Sequence, residues 1–347
     1  MKVIDMNATT IRKTSNAPPR VRTAVLQLLS AVTLSCSVIT NLPFQAQASD
    51  LAITPIGTQQ IKSSSKNPVF FVTDRKETID GDKIQYVDGR STKLSYGICY
   101  PDANAGGKLK TLVFDNADQF FAELAKFDKG EAICFLHGYH RNFRTSVDLG
   151  FETAKGLDRP IVLFSWPTRN SYVKYFVDET NAEWAGPHFA AFLTDLGSRI
   201  ENRNITILSH SVGAKVVTSA FQTLAFNKNL ADFPKFAHVL MCSPDIDRDI
   251  FAEQAPLVKS FASDVRIYVS TKDKRIAISN FFHGGYRIGS ATKLQNIEGV
   301  EFVNFEAEDK RTFGHSIPYG LLSRVLKGEL AASAAYSSLP LYKPATP

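Results

Sequence analysis

Asn204-Ile205-Thr206-Ile207-Leu208-Ser209-His210-Ser211-Val212-Gly213-Ala214-Lys215-Val216-Val217 reads as an apolar run, a tight turn of small residues and an immediate helix. That context holds a serine nucleophile at a strand-to-helix elbow. Such a turn strains Ser211 and lifts its hydroxyl above the sheet edge, so the residues two before and two after it must be small. Ser209 and Gly213 meet that need. The same pentapeptide also suits a serine that merely caps the following helix, so the case rests on what surrounds it.

Outward from this elbow the chain alternates short β-branched or aromatic runs with longer amphipathic stretches, the pattern of an α/β sheet. Strands are predicted over 69–73, 94–100, 132–137, 161–165, 205–209, 238–242, 265–270 and 301–305, and helices over 142–156, 179–200, 211–226 and 317–327. Runs such as Ile161-Val162-Leu163-Phe164 are apolar throughout, so helices should cover both faces of a mostly parallel, eight-stranded sheet. No repeat, phosphate-binding glycine loop or Cys/His metal cluster stands out, and no cofactor or metal is expected.

A serine hydroxyl needs a base to take its proton and a carboxylate to orient that base. Asp273, in Thr271-Lys272-Asp273 just past the 265–270 run, is the first candidate acid. Asp245, in Cys242-Ser243-Pro244-Asp245-Ile246-Asp247, is the second. Only His283 and His315 follow both acids, and only His315, in Phe313-Gly314-His315-Ser316, follows the last predicted strand. His315 is therefore the candidate base. Two backbone donors are needed for the oxyanion: Val212 N–H, next to the serine, and Tyr139 N–H in Cys134-Phe135-Leu136-His137-Gly138-Tyr139. Gly138 would let that loop approach the substrate and His137 would orient it.

These runs, with Phe71-Val72-Thr73-Asp74-Arg75 and Phe164-Ser165-Trp166-Pro167, resemble an uncharacterised, lipase-like bacterial branch of the α/β-hydrolase superfamily from about residue 70 to 328. The resemblance implies the α/β-hydrolase fold and a Ser, Asp, His assignment, and no substrate. The chain departs from it in two places: Ser209 stands at the usual glycine, and Val212 where that branch often carries methionine.

At 347 residues and 44% hydrophobic, the chain can bury a substantial core. Residues 1–48 read as an export signal: Lys2, Arg12, Lys13, Arg20 and Arg22, a mostly apolar run over 23–40, and Ala46-Gln47-Ala48 at the end. Cleavage after Ala48 would give a periplasmic or secreted product with no stable membrane span; the alternative is an anchor through 23–40. Without 1–48, 35 basic and 33 acidic side chains remain, a net charge of +2, so nothing marks a nucleic-acid partner. A polar arm (49–66), one hydrolase domain (67–328) and a disordered tail (329–347) should follow. Cys99, Cys134 and Cys242 fall within predicted strands and read as buried thiols.

The segment 244–264, where many lipases carry a large cap, has room for one helix, so an open site without a large cap domain is expected. Tyr172, Tyr175, Phe176 and Trp184 could wall an acyl or aryl group, and Arg287 suits a surface or ion-pair role, with contact to an anionic substrate as the alternative. The leading expectation is hydrolysis of a small-molecule ester, thioester or lipid ester through an acyl-enzyme; amide hydrolysis uses the same groups. The alternative is a non-catalytic exported binding or assembly module on the same scaffold. Oligomeric state is not legible.

Overall fold

Ala132–Leu136 and Ile161–Ser165 are buried at every residue, as strands covered on both faces must be. A computed structural model, which describes residues 53–55, 67–80, 83–102, 108–127, 130–227, 235–292, 294, 296–309 and 313–329, places them inside a ten-stranded sheet. In chain order the strands are β1 (Ile53–Pro55), β2 (Val69–Asp80), β3 (Lys83–Asp102), β4 (Lys108–Val113), β5 (Ala132–Leu136), β6 (Ile161–Ser165), β7 (Ile205–His210), β8 (Phe236–Cys242), β9 (Ala262–Val269) and β10 (Glu301–Asn304). In space they run β1-β4-β3-β2-β6-β5-β7-β8-β9-β10. Every pairing from β2 to β10 is parallel, while β2, β3 and β4 form an antiparallel meander at one end.

All eight expected strands are present, and β4 and β1 extend the sheet beyond them. Lys108-Leu109-Lys110-Thr111 is too polar to read as a strand in isolation, and its place near the sheet edge explains that composition. β1 falls within the expected arm. The export segment 1–48, the rest of the arm and the tail beyond Glu329 lie outside the described residues. Every described element belongs to one compact unit, Asp50–Pro347.

Among the described residues seven α-helices accompany the sheet: α1 (Ala117–Leu124), α2 (Phe143–Leu157), α3 (Tyr175–Gly197), α4 (Gly213–Asn227), α5 (Arg248–Phe261), α6 (Lys274–His283) and α7 (Tyr319–Leu326). The apolar sides of α1, α3, α4 and α5 join a core on one face, and those of α2 and α7 a core on the other. α5 is the single helix of the 244–264 segment. α1 and α6 were not expected. Among the described residues no helix is long and apolar enough to cross a membrane. Cys99, Cys134 and Cys242 are buried free thiols in β3, β5 and β8.

β5 lies between β6 and β7, so the chain leaves it toward one side and returns on the other. At such a switch point a crevice opens beyond the carboxyl ends of the strands.

Candidate active site

Only two residues separate β7, which ends at His210, from α4, which begins at Gly213. Ser211 turns the corner at φ 54, in the left-handed region, where a non-glycine residue is strained by about 1–3 kcal/mol. Main-chain bonds hold it there. Its N–H donates to Cys242 O at 2.9 Å, and its carbonyl accepts from Asp245 N–H at 3.2 Å. A Cβ on Gly213 would lie 2.6 Å from His137 O and 2.8 Å from Leu136 O, so only glycine lets α4 start against the end of β5. Ser209 is buried, and its hydroxyl has no hydrogen-bond partner among the described residues. The position often held by glycine thus has room for a small side chain.

His315 and Asp273 meet across two loops. His315 Nδ1 lies 2.8 Å from Asp273 Oδ2, and both residues are buried. A carboxylate oxygen can only accept, so Nδ1 carries a proton, and Nε2 is the acceptor nitrogen of the neutral ring. Asp273 is also oriented from its other side, because Oδ1 accepts Ile276 N–H at 2.9 Å as the N-cap of α6. The histidine loop is clasped to the aspartate loop: Lys274 N–H donates to Phe313 O at 2.9 Å. Gly314 has φ 65, and a Cβ there would sit 2.1 Å from Lys272 O.

Asp245 serves elsewhere. Its Oδ1 accepts from Arg287 Nε and Ser279 Oγ, both at 2.7 Å, and its Oδ2 from Tyr175 Oη at 2.6 Å. Both carboxylate oxygens are thus engaged by side chains other than His315, and Arg287 is the buried ion-pair partner.

Beyond β5 the chain passes through His137, Gly138 and Tyr139. Gly138 lies over the elbow, where an added Cβ would be 3.1 Å from Ser211 Cβ. The His137 ring stacks on Trp166, with centroids 5.3 Å apart and planes 6° from parallel, and its carbonyl accepts Trp166 Nε1–H at 2.9 Å. Burial, reinforced by the nearby Arg75 charge, holds the imidazole well below its ordinary pKa. His137 is therefore neutral at neutral pH, packed and hydrogen-bonded against Trp166. Val212 immediately precedes α4, whose first N–H groups have no intrahelical acceptor, and Tyr139 lines the same cavity as Ser211.

Fully buried Arg75 at the end of the Thr73-Asp74-Arg75 run explains why that run matters. Its guanidinium donates to Ser165 Oγ at 3.0 Å and to Arg141 O at 2.9 Å, tying the loop after β5 to the end of β6. Burial lowers its pKa to about 10, which leaves it cationic at neutral pH. Asp178 secures the same loops, accepting Arg169 N–H at 2.6 Å and His140 N–H at 3.2 Å. Desolvation pushes its pKa up to about 6.

Ser211, His315, Gly138 and Tyr139 line one cavity of about 270 Å³. His140, Arg141, Thr145, Asn170, His210 and Arg275 line it too, and sequence reasoning missed all six. The His210 ring stands 4.6 Å from that of His315, and its position just before the serine was the available signal. Of the four aromatics expected as a wall, Tyr172 lines the cavity and stacks on His140 at 3.8 Å. Tyr175 backs Tyr139 at 5.0 Å, and Phe176 is exposed. Trp184 packs instead beneath Arg90 and beside His188. Among the described residues no group of His, Cys, Asp and Glu could hold a metal ion.

Several solved structures are similar to the chain, among them two esterases or lipases. The thermophilic, thermostable carboxylesterase EstE1, cloned from a metagenomic library, shares 11% identity over 71% of this chain and 87% of its own, with a TM-score of 0.33. A lipase/esterase from Lactobacillus plantarum shares 9% over 75% and 99%, also at 0.33. Comparison with curated proteins gives no match. Residues 114–317, more than half of the sequence, match the family described as "Alpha/beta hydrolase of unknown function (DUF900)". With the mostly parallel sheet, helices on both faces and a strained serine at the switch point, the chain belongs to that α/β-hydrolase family.

Proposed function

We propose that the chain is an exported serine hydrolase that cleaves carboxylic esters or thioesters through an acyl-enzyme on Ser211. The observation that carries this reading is the 2.8 Å pair of His315 Nδ1 and Asp273 Oδ2, which in the neutral imidazole makes Nε2 the proton acceptor, on a residue that lines the same cavity as Ser211. In the first half-reaction Nε2 takes the Ser211 proton as Oγ attacks the carbonyl carbon. The Val212 and Tyr139 N–H groups face the developing oxyanion, and the imidazolium returns its proton to the departing alcohol or thiol. In the second, water gives its proton to His315 as it attacks the acyl carbon, and the acid leaves as the proton returns to Ser211 Oγ. Asp273 stabilises the imidazolium without becoming protonated. Export rests on the 1–48 segment, with Ala46-Gln47-Ala48 as the cleavage signal.

A fluorophosphonate probe tests the reading directly. An adduct on Ser211 is expected, lost in Ser211→Ala and strongly slowed in His315→Ala. A folded wild-type protein that takes up no label would instead fit a binding module on this scaffold.

A further inference from the structure

Helix α6 turns its apolar residues outward. At about 100° per residue, Lys274, Arg275, Ala277, Ile278, Phe281 and Phe282 share an arc of roughly 160°, and that arc faces solvent, with Ile278 54%, Phe281 74% and Phe282 66% exposed. The opposite arc is the polar one. Ser279 Oγ donates to Asp245, and His283 Nε2 lies 3.1 Å from Glu179. Ile276, its one buried large apolar residue, belongs to neither core. Such a helix is not amphipathic toward this protein's interior.

Its neighbours continue the patch. Val173, Phe176 and Val177 are exposed, and the Phe176 ring stands 5.5 Å from that of His283. Phe313 is exposed beside Lys274, whose N–H its carbonyl accepts. From these same segments Tyr172 and Arg275 line the cavity that Ser211 and His315 share, so the patch adjoins the site.

Charge selects the occupant. Residues 171–177 and 274–287 contain no Asp or Glu. Lys174, Lys274 and Arg275 are exposed and make no ion pair among the described residues. A second copy docked about a two-fold axis would bring these like charges together. A lipid surface bearing phosphate groups satisfies both features, taking the apolar side chains at the headgroup boundary and the cations at its anions.

We propose that this face docks on an anionic lipid bilayer, with Val173, Phe176, Ile278, Phe281 and Phe282 inserted and Lys174, Lys274 and Arg275 against lipid phosphates. Docking brings the site to the membrane, where the substrate would be a lipid ester. That last step rests on the proposed hydrolase; the docking does not.

The test is flotation of the chain from Ser49 onward, which holds every described strand and helix, with phosphatidylcholine vesicles with and without about 30% phosphatidylglycerol. Wild type is expected to float with the anionic vesicles and to be released by salt. Phe281→Ser with Phe282→Ser should lower partitioning at least about tenfold. Lys174→Gln with Lys274→Gln should lower it about thirtyfold on anionic vesicles alone. Circular dichroism and hydrolysis of a short soluble ester should be unchanged in both. Failure of wild type to float, or flotation indifferent to both double variants, overturns the docking. So does a lipid-free dimer in sedimentation that Phe281→Ser with Phe282→Ser dissociates. A protein that floats normally but hydrolyses no ester overturns the hydrolase reading alone.

Discussion

Replacing Asp273 by asparagine separates its two tasks. Oδ1 caps α6 through Ile276 N–H, and Oδ2 faces His315 Nδ1. Asparagine is as good an N-cap as aspartate, so in Asp273→Asn the amide oxygen keeps the cap and the amide NH₂ turns to the imidazole. An NH₂ can only donate, so Nδ1 must accept and the ring proton moves to Nε2. A histidine protonated at Nε2 cannot take the proton of Ser211. The wrong tautomer in a serine triad costs about 10⁴-fold in kcat, roughly 5 kcal/mol of barrier. The assay is kcat and KM on a short p-nitrophenyl ester beside a thermal melt, with Ser211→Ala as the floor. The expected result is a large fall in kcat with a melting temperature within about 2–4 °C of wild type, the shift for a change near 1 kcal/mol in a domain of this size. Retention of more than about a tenth of wild-type kcat, a loss under about 1.4 kcal/mol, would refute the reasoning. So would Asp245→Asn giving the larger kcat loss at unchanged stability.

Asp245→Ala should act mainly on folding. It takes the 2.7 Å partner from Arg287, 3% exposed, and leaves Glu179 at 3.4 Å as the remaining counter-charge, so the loss should fall toward the low end of the about 3–5 kcal/mol that breaking a buried pair from one side costs, readable as a shift in urea midpoint; an unchanged midpoint would contradict this account. The second concerns pH. Because the His137 pKa is held well below its ordinary value, the unfolded chain binds a proton there that the folded chain refuses. Stability from this residue is therefore intact above about pH 6.5 and falls by up to about 1.4 kcal/mol per unit as pH drops toward the folded value. The stability of wild type relative to His137→Phe, measured by urea unfolding from pH 8 to pH 5, should decline accordingly; a constant difference would show that His137 protonates freely in the folded state.

The elbow was legible in sequence because its constraints are local. A strand, a strained serine and a glycine pressed on the neighbouring strand all fall within a dozen residues. The choice between Asp273 and Asp245 was not, since each follows the end of a strand and both precede His315. What separates them is lateral order. β10, which leads to His315, pairs with β9, which leads to Asp273, and a carbonyl at Lys272 admits only glycine at residue 314. Helix α6 escaped the sequence reading for a different reason. Its phase points Phe281 and Phe282 outward, so a search for an inward apolar stripe finds Ile276 alone. Helix phase also decided the aromatic wall: Tyr172 enters the cavity, whereas Trp184 lands two turns along α3 beside His188.

The site's strain is concentrated, and the fold compensates for it locally. His140, Ser211 and Ser243, at φ 58, 54 and 46, follow the ends of β5, β7 and β8. Three such residues cost about 3–9 kcal/mol together, comparable with the whole net stability of a domain. Each is held by a bond from a neighbouring element: His140 N–H to Asp178, Ser211 N–H to Cys242 O, and Ser243 N–H to Tyr268 O. The last two form a chain across the carboxyl ends of β7, β8 and β9, so the conformation of Ser211 depends on the strand that precedes Asp273. The pairing of β7 with β8 and of β8 with β9 thus does more than build the sheet. It fixes the serine and the loop bearing the aspartate in one frame, which a hydroxyl and an imidazole must share for proton transfer to occur at hydrogen-bond distance.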